Sequence, residues 1–335
     1  MPNPKKFLLI APWDYQLYRV IEKNLIHLGY EVTVVHNNLY PPEKKSVFQK
    51  VSYFFSKAFS KHDNEAEKTE FSTQKRMALV KSQRRYAVTL VIRPDLFSED
   101  LLKVAKHRSR QFLSFFYDGL KANPQVLSKV SLFDRFFVFD RSDVQTFREY
   151  GVRYAPNFYF DYPELMQRNK VLNQGYKIYY ISSYHPSRID IIQSLYRFIT
   201  QKLSPVRFDL VYPKQDEDKI PLFVKRHFNC FHTIVPYEEQ LQLIKDTEII
   251  LDFKMDIHAG FSFRIFDGIK LQKKVITTNP MVIHEDFYHP NNFFVLTSEN
   301  EAELDAFLKT PYEVLPEEIR IKYSFSHWLR MITEQ

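Results

Sequence analysis

Short apolar runs recur along this chain with helix-like segments between them, and that alternation most constrains how it folds. Residues 7–11 read Phe-Leu-Leu-Ile-Ala and stop at Pro12, the form of a strand buried on both faces. Leu17, Val20, Ile21, Asn24, Leu25 and Leu28 follow at helical spacing, Gly29 stands where a C-cap belongs, and residues 30–35 form a second apolar strand. The unit returns as strands at 88–92, 111–116 and 136–139, with helices at 99–106 and 142–150. A polar stretch at 162–174 carries Pro163 and is followed by Gly175, so the boundary between two domains belongs there. Beyond it come strands at 178–181, 206–211, 233–235, 249–251, 274–277 and 293–296, and a closing helix at 316–333. Such alternation predicts an α/β protein of doubly wound parallel sheets with right-handed crossovers.

At 335 residues the chain exceeds one ordinary core and fits two. The first domain spans 1–165, interrupted at 41–86 by two basic helical segments around an acidic hinge at 63–67, and the second spans 175–312. The single cysteine, Cys230, excludes an intrachain disulfide and a cysteine zinc site. The six glycines form neither a dinucleotide fingerprint nor a phosphate loop. His284, Glu285, Asp286 and His289 suggest a metal, but the two histidines do not share a helix face, and no metal is expected. No stretch is long and apolar enough to span a bilayer and the start lacks a signal-peptide pattern, so the expected location is cytoplasmic.

The net charge of +7 favours anionic partners. Its excess lies before residue 110, at Lys44, Lys45, Lys50, Lys57, Lys61, Lys75, Arg76, Lys81, Arg84 and Arg85, and reads as a docking face. Between residues 44 and 61 the lysines interleave with Val47, Phe48, Val51, Phe54, Phe55 and Phe59, as in a helix lying on an anionic membrane surface. The competing reading packs that aromatic stripe on the first domain. A further reading makes 41–86 a nucleic-acid-binding segment, which predicts steeply salt-dependent binding.

Ligands of open parallel sheets bind beyond the carboxyl ends of the strands. The loops to search are therefore 12–14, 117–119, 182–188, 212–214, 236–238 and 252–264. In the last, Gly260 and Ser262 open a helix whose N–H groups suit a diphosphate, Arg264 and Lys254 supply cations, and Asp267 is a candidate acceptor for ribose hydroxyls. Ser182, Ser183 and Arg188 offer a second phosphate contact at a helix start, and Tyr237 a face for a base. Asp118 is the first candidate general base and Asp14 the second, with turn formation and N-capping as their structural alternatives.

The stretch 258–279, from His258 through Gly260 and Asp267 to Thr277-Thr278-Asn279, resembles the donor-nucleotide motif of GT-B glycosyltransferases, in particular bacterial enzymes that build lipopolysaccharide and capsule. Residues 117–121 and 133–140 resemble the amino-terminal half of the same enzymes. The resemblance implies two Rossmann-like domains facing across a cleft, with residues 313–335 crossing back as a helix onto the first domain. It also implies a nucleotide-sugar donor on the second domain, no metal requirement, and a glycan or lipid-linked acceptor on the first. Nucleic acid is then not an expected partner, and the inner face of the plasma membrane becomes a natural place of work. Many retaining members carry two acidic residues spaced as Ala259 and Asp267 are; alanine at the first position leaves retaining and inverting chemistry both open. A GT-B-like protein without catalysis stands as the other alternative.

Overall fold

The computed structural model describes residues 4–40, 64–167, 175–254, 259–297 and 300–334. The first sheet holds β1 (Lys5–Ala11), β2 (Tyr30–His36), β3 (Tyr86–Ile92), β4 (Ser109–Phe116), β5 (Arg135–Val138) and β6 (Arg153–Tyr154), in the order β2-β1-β3-β4-β5-β6. The second holds β7 (Tyr176–Ser183), β8 (Val206–Val211), β9 (Asn229–Phe231), β10 (Thr247–Asp252), β11 (Lys274–Thr277) and β12 (Phe293–Val295), in the order β12-β11-β10-β7-β8-β9. Every strand pair is parallel.

Continuous apolar runs become central strands here because both faces are covered. Along β1, Phe7, Leu9 and Ala11 join a core on one face while Leu8 and Ile10 join the other, the two-residue alternation of a pleated strand. Helices Leu17–His27 and Phe325–Glu334 cover the first face, and helices Asn64–Lys81 and Glu99–His107 the second. The first of these cores continues into the second lobe through Tyr179, Ile181, Tyr237, Ile250 and Phe266, so the lobes share one apolar interior.

The aromatic wealth of the sequence is concentrated at that junction. Phe158 meets Phe115 at a ring separation of 6.2 Å, Phe263 at 5.3 Å, Phe325 at 5.1 Å and Trp328 at 4.4 Å. The last helix therefore straps back onto the first lobe, and Gln111 Nε2 and Arg135 Nη2 donate to Thr333 O at its end (2.9 and 3.2 Å).

Several expectations are corrected. The strand expected at 233–235 forms instead at β9, where Asn229 Nδ2 donates to Asp209 Oδ1 (2.8 Å) and so fixes the register against β8. The closing helix is broken into Glu317–Lys322 and Phe325–Glu334 by an isolated bridge of Ser324 to Tyr159. The segment 142–150 is a short helix, Arg141–Thr146, and a 3-10 turn, Arg148–Tyr150. Most of the acidic hinge lies inside the helix Asn64–Lys81. Arg76 leaves the docking face, because it donates to the carbonyls of His36 (2.9 Å), Asn37 (2.7 Å) and Asn38 (3.0 Å) and clamps the loop after β2. The amphipathic segment 44–61 lies outside the described residues. Among the described residues no helix is long and apolar enough to cross a membrane.

Candidate active site between the lobes

In each sheet the chain reverses its direction of winding once, between β1 and β3 in the first and between β7 and β10 in the second. Loops leaving such a point diverge and open a crevice. The two crevices face each other. Tyr15, just after β1, shares a hydrogen bond with Ser183 Oγ at the end of β7, and Tyr117, just after β4, meets Phe263 edge-on at 6.0 Å.

The wall from the first lobe is acidic around one arginine. Arg93, in left-handed backbone conformation (φ 55°) after β3, holds Asp95 in a bidentate pair (Nε–Oδ1 2.9 Å, Nη2–Oδ2 2.7 Å) and pairs through Nη1 with Asp118. Burial works against its charge, but the hydrogen bond to Asp95 and the carboxylate of Asp118 outweigh it and raise its pKa. The side chain of Asp118 is 35% exposed against 6% for Asp95, so Asp118 is the member of this group that reaches solvent. Asp14 is half-buried beside them. Burial pushes its pKa above the usual carboxylate range, Arg93 opposes this, and Asp118 and Asp95 add to it. Burial and these carboxylates also push the Tyr117 phenol up, keeping it neutral.

The wall from the second lobe is cationic. Helix Pro186–Thr200 starts after β7, and Arg188 on its first turn donates from Nη2 to Ser183 O (3.0 Å), while its buried Nε has no hydrogen-bond partner among the described residues. Helix Phe263–Leu271 starts after β10, and Arg264 reaches from it across the crevice to donate to Ile181 O of β7. Lys254, partly exposed, follows β10, its backbone N–H held by Thr278 Oγ1 (2.9 Å).

Asp252 organises this wall, although the sequence reading passes over it. Its carboxylate, 4% exposed, accepts from Ser262 Oγ (2.6 Å) and Thr277 Oγ1 (3.1 Å) and thereby ties the ends of β10 and β11 to the helix start. Ser262 is thus an N-cap, its Oγ accepting from Arg264 N (3.2 Å). Asn279 caps the next turn through Met281 N and donates to Ala259 O, both at 3.2 Å. Arg93 is the other omission. It lies in the loop after β3, which the same strand-end rule reaches.

Other nominated residues face elsewhere. Gly260 does not open onto the crevice: a Cβ there would lie 2.4 Å from the Phe139 ring, so its smallness serves close contact between the lobes. Asp140 Oδ2 accepts from Ala259 N (2.6 Å) and Asn157 Nδ2 donates to Phe261 O (2.8 Å), securing the same loop to the first lobe. Ser182 is 6% exposed and accepts from the Tyr180 hydroxyl (2.7 Å). His258 lies outside the described residues. Glu285 pairs with Arg141 (3.2 Å), and Asp286 pairs with Lys322 and accepts from the Tyr323 hydroxyl, so these acids brace elements of the structure.

Asp267 and Tyr237 are corrected together. The Tyr237 hydroxyl donates to both carboxylate oxygens (2.8 and 2.7 Å), and with Asp267 1% and Tyr237 7% exposed neither presents a surface to ribose or base. Burial pushes Asp267 up to about 7, against the Tyr237 hydrogen bond and Arg264, which lower it. The folded state therefore holds a proton that the unfolded chain, near the ordinary value of 3.8, releases. That contribution to stability is complete below about pH 4 and is lost as pH rises through about 7, at a slope of up to about 1.4 kcal/mol per pH unit. Asp267→Asn, neutral throughout and still able to accept from Tyr237, is expected to flatten the slope in urea unfolding between about pH 4 and 7. An unchanged slope contradicts the buried-acid account.

Two all-parallel six-stranded sheets, facing each other at their switch points and strapped by a returning helix, make the GT-B fold. No protein-family model matches the chain, and no curated protein matches its sequence. Solved structures do match. The lipopolysaccharide outer core galactosyltransferase WaaB, in its apo form, superposes with a TM-score of 0.51 at 10% identity over 98% of each chain. The trehalose-6-phosphate synthase OtsA gives 0.56 at 10% identity over 98% of each chain. The α,α-trehalose-phosphate synthase (UDP-forming) of Burkholderia vietnamiensis gives 0.56 at 9%, over 98% of this chain and 99% of its own. At these identities the likeness is one of fold.

Proposed function

We propose that the protein transfers a glycosyl group from a nucleotide-sugar donor to a glycan acceptor of the cell surface. The observation that carries this reading is the opposition of a cationic wall built on two helix starts to a carboxylate wall, across the switch points of a GT-B fold. Arg188, Lys254 and Arg264 would neutralise the diphosphate that leaves, aided by the N–H ends of helices Pro186–Thr200 and Phe263–Leu271. On the facing wall, Asp14 would take the proton of the acceptor hydroxyl, its raised pKa making it a stronger base than an ordinary aspartate, while Arg93 fixes Asp118 beside it. Protein side chains balance the charge on the diphosphate in this scheme, so it asks for no metal.

The names of the fold relatives support the donor class, since one trehalose enzyme, from E. coli, is bound with UDP-2-fluoro glucose. A lipopolysaccharide enzyme among them supports the cell-surface acceptor.

A thermal-shift panel of UDP, GDP, CDP, CMP and ADP tests the proposal. A nucleotide at about a hundred times its dissociation constant stabilises the native state by about 2.7 kcal/mol. At least one diphosphate is expected to raise the unfolding midpoint. A panel in which none does so at millimolar concentration contradicts the reading.

A further inference from the structure

We propose that the amino-terminal edge of the first sheet, remote from the crevice, docks on an anionic lipid bilayer. Because every strand of that sheet is parallel, all strand starts lie on one edge. Cations distant in sequence meet there: Lys5 opens β1, Arg84 and Arg85 precede β3, Arg110 is the second residue of β4, and Arg153 opens β6. Lys81 joins them from the end of helix Asn64–Lys81. All six are exposed, and among the described residues none forms an ion pair.

The acids of the edge are fewer. Glu31 accepts from Gln83 Nε2 (3.2 Å), Asp134 accepts from Phe112 N (2.8 Å), Glu149 lies exposed in the turn before β6, and Glu334 ends the last helix. Strands β1, β3, β4, β5 and β6 are consecutive neighbours, and at about 4.8 Å per strand the row extends roughly 20 Å.

The layout selects a plane over a linear polyanion. Beside the strand row, Lys81 stands over one face of the sheet and the exposed Arg330 of helix Phe325–Glu334 over the other, so the charge spreads in two dimensions. Such a face suits a surface of anionic headgroups, toward which each basic side chain adds a similar increment of attraction. Asp14 and Asp118 follow the opposite, carboxyl ends of the strands, so a docked molecule keeps its crevice open to solvent. The proposal stands independently of the transfer reaction.

The test is co-sedimentation of the full chain with vesicles of phosphatidylcholine alone or with 30% phosphatidylglycerol, at low salt. Binding is expected only with the anionic lipid. The variant R84Q/R85Q/R110Q/R153Q is expected to lose at least about a hundredfold in partitioning, with its circular dichroism unchanged. Should that variant misfold, R84Q/R85Q alone, in the turn before β3, is expected to lose about tenfold. K44Q/K45Q/K50Q/K57Q/K61Q, which removes the lysines of the amphipathic segment, is expected to bind nearly as the parent does. No binding to anionic vesicles, equal binding to neutral ones, a loss confined to the lysine variant, or tighter binding to a single-stranded DNA 30-mer than to the vesicles would each overturn the proposal.

Discussion

Asp14→Asn is expected to lower turnover by about 10²–10⁴-fold, the usual contribution of a positioned general base, while leaving nucleotide affinity within about twofold. The expectation rests on the division of labour between two neighbouring carboxylates. Asp118 is tied to the Arg93 guanidinium, whereas Asp14 is held above its ordinary pKa by burial and by the carboxylates next to it. A base must be ionised to accept a proton, so kcat/KM of the parent should fall on acidification, with its midpoint above the ordinary aspartate value of 3.8. In the variant that limb should vanish. Asp118→Asn should act differently, weakening a positioning contact and shifting the limb without abolishing it. A variant of Asp14 that turns over at the parental rate removes it from the chemistry.

Trp328→Ala is expected to cost about 3–5 kcal/mol in urea unfolding and to weaken transfer as well. Trp328 is 1% exposed, and its ring packs on Phe115 of β4 (5.0 Å), on Phe158 (4.4 Å) and on Phe325 (5.7 Å). Phe158 in turn meets Phe263, the first residue of the helix that carries Arg264. Removing the indole opens a cavity beneath both walls of the site. Among the described residues the buried indole Nε1 has no hydrogen-bond partner, so Trp328→Phe forfeits packing alone and should cost only about 1–2 kcal/mol. Equal losses for alanine and phenylalanine would show that the indole itself, rather than the filled volume, is what matters.

Much of the fold was legible because periodicity and burial agree. The run at 7–11 is a strand in any compact setting, and its alternate residues divide cleanly between two cores. β9 was not legible: a strand of three residues at the sheet edge is positioned by the buried carboxylate of Asp209, which Arg207 and Asn229 satisfy, and not by its own propensity. The site divides in the same way. The strand-end rule located Asp14, Asp118, Arg188, Lys254 and Arg264 at the facing crevices. It could not tell which side of a helix looks outward. Asp267, three positions after Arg264, turns inward to Tyr237 because an apolar interior with one phenol fits it there. Gly260 misled for a related reason, since a glycine signals close approach without naming what approaches, and here it is Phe139.

The proposed transfer requires a nucleoside diphosphate against Arg188 and Arg264 in the second lobe's crevice. Titration calorimetry with the diphosphate that stabilises the parent, compared with Arg188→Ala/Arg264→Ala, addresses it most directly. Loss of two charge-assisted contacts predicts at least about a hundredfold weaker binding in a variant that remains folded, with Asp14→Asn binding as the parent does. Parental affinity in the folded double variant would place the nucleotide elsewhere and contradict the account.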